Sequence, residues 1–117
     1  MDRHQELPVW QVSRKLVAAI YRLTRELPPE EGYVLIPQLR RAAWSVSNNI
    51  AEGNAKLGRR ELRRYLDSAI GSLAEINSMV SILPDLHAVD PKTCEDVDGL
   101  RRDTARQIYG LLRKPGR

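Results

Sequence analysis

Apolar residues recur at three- and four-residue spacing in four separate stretches, and none of them alternates as a half-buried strand would. That periodicity commits the chain to helices with one core-facing stripe apiece. The first helix is expected over 9–27, with Val12, Leu16, Ala19 or Ile20, Leu23 and Leu27 as its stripe and Pro28-Pro29 as its stop. The second, over 36–52, carries Leu39, Ala43, Val46 and Ile50 and ends at Gly53-Asn54. The third, over 59–83, is the longest; Leu62, Leu66, Ala69, Leu73, Ile76, Val80 and Leu83 share one face, and Pro84 is its stop. The fourth, over 91–113, opens with Asp90 as N-cap and Pro91 in its first position, followed by Val97, Leu100, Thr104, Ile108 and Leu111. The short gaps between them favour antiparallel neighbours. The expected fold is therefore all-α, an antiparallel up-down-up-down four-helix bundle, with 1–117 as a single domain.

Composition removes several function classes. The chain is 42% hydrophobic and 29% charged, enough to bury a core. No apolar run approaches the roughly 18 residues of a membrane span, and the start lacks a signal peptide's basic stretch and apolar block. A cytoplasmic protein with no membrane partner is expected. Cys94 stands alone and the two histidines, His4 and His87, have no metal-like spacing, so neither a disulfide framework, a metal site nor a cofactor is expected. His4 is expected in a loose terminus and His87 in a loop. Cys94 falls in the first turn of the last helix, where the dipole lowers a thiol pKa unless the side chain is simply half-buried.

The net charge of +4 conceals a strongly uneven layout. Residues 40–64 carry +5, 65–98 carry −6 and 99–117 carry +5. Of the 19 basic residues 15 are Arg, which suits bidentate phosphate contacts, although a GC-rich genome gives the same bias. Lys56, Arg59, Arg60, Arg63 and Arg64 cluster around the turn into the third helix. Arg102, Arg106, Tyr109 and Arg113 line one face of the fourth, a basic stripe with an aromatic able to stack on a base. Two such clusters make RNA or DNA a candidate partner. They are alternatively solvated surface, or pair with acidic residues of a neighbouring subunit.

Some side chains are left over once one stripe per helix is buried. Trp10, Val17 and Tyr21 form a second line on the first helix, and Trp44 projects away from the second helix's stripe. These, with Gly71 on the back of the third helix, point to a homo-oligomer interface, Gly71 by permitting close approach. The other readings are that Trp44 caps the edge of its own bundle and that Gly71 is a tolerated weak spot. Asn49, Glu52 and Ser72 are expected near the junction of the second and third helices. Glu52 or Glu75 would serve as an acid or base only beside a nucleophile, and none accompanies them, so no enzyme is expected.

Gln38-Leu39-Arg40-Arg41-Ala42-Ala43-Trp44-Ser45-Val46-Ser47-Asn48-Asn49-Ile50-Ala51-Glu52-Gly53 resembles the signature of the bacterial four-helix-bundle family, also called the 23S rRNA intervening-sequence protein family. Glu61-Leu62, Tyr65-Leu66 and Ala69-Ile70-Gly71-Ser72-Leu73-Ala74-Glu75 continue the resemblance, which spans most of 6–83 and fades in the fourth helix. It implies an antiparallel bundle assembling as a ring, typically a homopentamer, without known catalytic activity. Asn49, Glu52, Gly53, Ser72 and Glu75 match the motif, in a structural role. Trp44, Leu62 and Tyr65 depart from it. A related branch is the accessory protein of diversity-generating retroelements, whose partners are a reverse transcriptase and nucleic acid. The expected function is accordingly a non-enzymatic, nucleic-acid-binding bundle of the intervening-sequence type, the alternative being a protein-interaction scaffold such as a reverse-transcriptase accessory protein.

Overall fold

The computed structural model describes residues 3–114, and every regular element among them is helical. Four long helices, α1 (Pro8–Arg25), α2 (Leu35–Ala55), α3 (Arg59–Leu86) and α4 (Pro91–Arg113), enclose one apolar core. A short 3-10 turn, Arg3–Glu6, precedes α1, and a single turn, Pro29–Gly32, bridges α1 and α2. Cross-helix contacts fix the directions. Tyr21 meets Trp44 and Thr24 meets Arg40, so numbers rise on α1 as they fall on α2. Ser45 meets Ser72 while Gly53 meets Leu62 and Tyr65, which sets α2 against α3. Arg59 reaches Leu111 at the start of α3, and Glu26 just beyond α1 reaches Asp90 and Thr93 at the start of α4. All neighbouring helices are antiparallel.

The stripes read from the sequence supply most of this core: Leu16, Ile20, Leu23, Leu39, Ile50, Leu66, Ile76, Leu83 and Ile108 are essentially sealed from solvent. On α1 Val9 is buried where Val12 was expected to be, and Val12 is only half-buried. Five helix boundaries also differ from expectation, the start of α2 by one residue. α1 begins on Pro8, whose missing N–H costs nothing in a first turn, and ends at Arg25, after which Glu26 and Leu27 donate to Leu23 and Thr24 in tighter turns. α2 does not end at Gly53; that glycine is a buried helical residue, and the helix continues to Ala55. Pro84 does not stop α3. It removes one hydrogen bond, but the helix runs on to Leu86 with buried Leu83 anchoring the last turn. For α4 the expected ends hold: Asp90 accepts from the Lys92 N–H at 2.9 Å, with Pro91 following.

His87 terminates α3 in the left-handed conformation, φ 51° and ψ 34°, and its N–H donates to the Pro84 carbonyl. A branched-ring side chain there carries backbone strain that glycine avoids. His87→Gly is expected to stabilise the protein by about 0.5–1 kcal/mol, read as a higher midpoint in thermal or urea unfolding.

The bundle measures 47 × 22 × 21 Å, so its two ends are well separated. The antiparallel arrangement brings the start of α1, the end of α2, the start of α3 and the end of α4 to one end. Uneven charge along the sequence becomes an axial separation of charge.

Candidate nucleic-acid interface

One end of the bundle gathers Lys56, Arg59, Arg60, Arg63, Arg64, Arg113 and Lys114 against Glu6, Glu52 and Glu61. The opposite end holds Glu26, Glu30, Glu31, Asp85, Asp90, Glu95 and Asp96 against Arg22, Arg25, Arg40 and Lys92, so its excess of carboxylate is smaller than the cationic excess at the first. The cationic end therefore joins the first cluster read from the sequence to the last residue of the second. Lys114, which the spacing argument passed over, belongs to it.

These cations do not all stand free. Arg59 points Nη2 at the carbonyls of Leu111, Leu112 and Lys114, at 3.0, 2.9 and 2.7 Å, and Arg63 donates to Leu112 at 2.9 Å. The last carbonyls of a helix lack the usual i+4 donors; Leu111 recovers one from the Lys114 N–H at 3.3 Å, and two guanidiniums of α3 supply further donors to this end. Lys56 and Arg64 flank the Tyr65 ring, each 5.5 Å from its centroid, and Arg64 also pairs with Glu61 at 3.6 Å. Arg60 and Arg113 are exposed.

The stripe on α4 divides. Arg102 pairs with Asp98 at 3.4 Å and Arg106 pairs with Asp103, both on exposed helix surface. Exposed pairs of this kind hold weakly, about 0–1 kcal/mol, yet they cancel much of the local field. Tyr109 is exposed beyond them, and Arg113 lies about 16 Å along the helix from Arg102. Arg102 and Arg106 thus stand apart from the cationic end that Arg113 joins.

The family-motif residues follow a different geometry from the one expected. Ser72 donates to Ser45 Oγ at 2.8 Å, and Asn49 Nδ2 reaches the Ser45 carbonyl and hydroxyl at 2.8 and 3.1 Å. Ser45 is the centre of this seam network, and spacing within one helix gave no sign of it. Glu52 does not converge with Asn49 and Ser72: Glu52 and Glu75 are both exposed, and neither makes a side-chain hydrogen bond or ion pair among the described residues.

Of the residues expected at an oligomer interface, Trp10 packs edge-on against His4, ring centroids 5.2 Å apart, so His4 is not in a loose terminus. Trp10 and Val17 lean on the core. Tyr21 sits beneath Arg40, whose guanidinium lies 4.2 Å from the ring centroid and whose Nε donates to Thr24. Trp44 donates to the Tyr21 hydroxyl at 3.0 Å while remaining 49% exposed. Gly71 does not bring another helix of the same subunit close; a Cβ there would meet nothing within 4 Å.

Cys94 is half-buried, and its thiol pKa is raised above the ordinary value by desolvation and then by the Glu26 and Asp90 carboxylates, not lowered by the helix dipole. It is expected to react with Ellman's reagent at about pH 8 more slowly than an unperturbed thiol. A faster reaction would contradict this environment. Among the described residues no group of three or more His, Cys, Asp or Glu is placed to hold a metal, and no helix is long and apolar enough to cross a membrane.

The family model for the 23S rRNA-intervening sequence protein matches residues 5–110. The chain belongs to this family. Its fold is shared with a solved structure, a protein of unknown function from the S23 ribosomal protein family of Bacteroides thetaiotaomicron, with a TM-score of 0.83. That similarity covers 91% of this family member and 99% of the neighbour at 17% identity, so it speaks to fold. No curated protein matches the chain.

Proposed function

We propose that this member of the 23S rRNA-intervening sequence protein family is a non-enzymatic bundle that assembles side by side with copies of itself, as a homopentamer, and binds RNA through its cationic end. The observation that carries the reading is the concentration of Lys56, Arg59, Arg60, Arg63, Arg64, Arg113 and Lys114 at one end, while at the other the carboxylates outnumber Arg22, Arg25, Arg40 and Lys92. Parallel copies in a ring place every cationic end on the same rim, multiplying a field that attracts phosphate. The half-exposed Trp44 and the uncovered Gly71 support lateral contact between copies.

Binding of a fluorescent single-stranded RNA across a salt series tests the reading. With about five of these cations engaging phosphate, log Kd is expected to change with log salt by a slope of about 3.5. The pair Arg60→Glu with Arg64→Glu is expected to weaken binding more than about tenfold and to lower the slope by roughly 1.4. No salt-dependent affinity for RNA or DNA overturns the reading. A scaffold that engages a protein such as a reverse transcriptase then takes its place. A single-subunit mass in light scattering at high concentration overturns the ring.

A further inference from the structure

A cavity of about 230 Å³ opens at the same end of the bundle, between the start of α1, the end of α2, the start of α3 and the end of α4. Its depth reaches Ile50 and Leu66, each only 1% exposed, so it penetrates to the core. Leu62 and Leu111 contribute further apolar wall. The polar lining consists of Asn54, Arg59 and Lys114. Water inside has few polar partners, so replacing it with hydrocarbon is favourable.

The charge at this lining selects the other half of an occupant. Arg59 spends only Nη2 on the α4 carbonyls, and its Nε and Nη1 have no protein acceptor among the described residues. The Lys114 ammonium has no carboxylate within ion-pair distance among them either, and the neighbouring Glu61 is engaged with Arg64. A planar guanidinium beside an ammonium and an amide matches a carboxylate. A cavity of about 150 Å³ takes one benzene ring, so this one holds roughly nine carbon atoms.

From this juxtaposition we infer that the cavity binds a medium-chain aliphatic carboxylate, its chain lying against Ile50, Leu62, Leu66 and Leu111 and its carboxylate meeting Arg59, Lys114 and Asn54. A polyanion does not fit the apolar wall, and a neutral alkane leaves the cations unused. The inference stands on the cavity; it shares Arg59 and Lys114 with the cationic end but does not depend on RNA binding, and its test is run without RNA.

Titration calorimetry of the full chain with sodium octanoate, and with 1-octanol as the uncharged comparison, tests it. Octanoate is expected to bind once per chain, roughly tenfold more tightly than octanol because of the charge-assisted contacts. Leu111→Trp fills the cavity and is expected to abolish binding, while Lys114→Glu lies on the surface and is expected to weaken octanoate but not octanol. Amide NMR shifts on the unaltered protein give a readout that depends on no variant: they are expected to move at Leu62, Leu66 and Leu111. Absence of octanoate binding at millimolar concentration, equal affinity for octanol, or shifts centred elsewhere on the bundle would each overturn the inference.

Discussion

Gly53→Leu is expected to cost about 3 kcal/mol and to break the packing of α2 on α3, seen as a large fall in the thermal midpoint. An ideal Cβ at residue 53 lies 3.0 Å from Tyr65 Cβ and 3.2 Å from Leu62 Cδ1. The Leu62 methyl can turn aside, but Tyr65 Cβ is fixed to the backbone of α3. Any side chain therefore pushes the helices apart, and the Ser45–Ser72 hydrogen bond at 2.8 Å lies on the same seam. Gly53→Ala should fall between the two, because the crowding of one methyl opposes a gain of about 1 kcal/mol in helix propensity. Gly71→Ala is the control. It meets no atom of its own subunit, so in a dissociated subunit it should gain up to about 1 kcal/mol in urea unfolding, whereas close lateral packing of copies on Gly71, as proposed, turns that gain into a loss in the assembled protein. A loss there instead would mark a contact between copies.

The contrast between these two glycines shows what was legible in the sequence. Periodicity identified the helices and most of the buried residues because the core-facing stripe repeats within one helix, and both ends of α4 follow from Asp90, Pro91 and the apolar run. A glycine near a polar loop was expected to end α2, since local signals for a helix terminus and for a close helix crossing are the same residue. Only the neighbouring helix distinguishes them. Pro84 misled for a related reason: its local penalty is one hydrogen bond, and the burial of Leu83 outweighs it.

At the candidate interface the limit was again contact between helices. The sequence showed two basic clusters, but the partners of each guanidinium lie 49 to 55 residues away for Arg59 and Arg63, and only three or four away for Arg102 and Arg106. The near pairs were open to a charge-pattern argument at i, i+3 and i, i+4 spacing. The far ones depend on the end of α4 arriving beside the start of α3. Ser45 and Lys114 entered the picture by the same route.

That long-range contact makes Arg59 and Arg60 separable, although they are adjacent in sequence and equal in charge. Arg59→Met is expected to destabilise the bundle by about 2 kcal/mol, because two terminal carbonyls of α4 and that of Lys114 just beyond it lose one charged donor. Hydrogen exchange in the last turns of α4 should accelerate with it. Arg60→Met, on exposed surface, should stay within about 0.5 kcal/mol of the unaltered protein. Each substitution removes one cation from the same end, so under the RNA-binding reading both should lower the salt slope by roughly 0.7. Arg63→Met, losing a single bond to Leu112, belongs between them in stability. Equal stability of the Arg59 and Arg60 variants would mean that the α4 terminus does not depend on its guanidinium cap. Unequal stability with equal salt slopes would assign Arg59 two tasks, holding the end of α4 and contributing charge to the surface beside it, and Arg60 only the second.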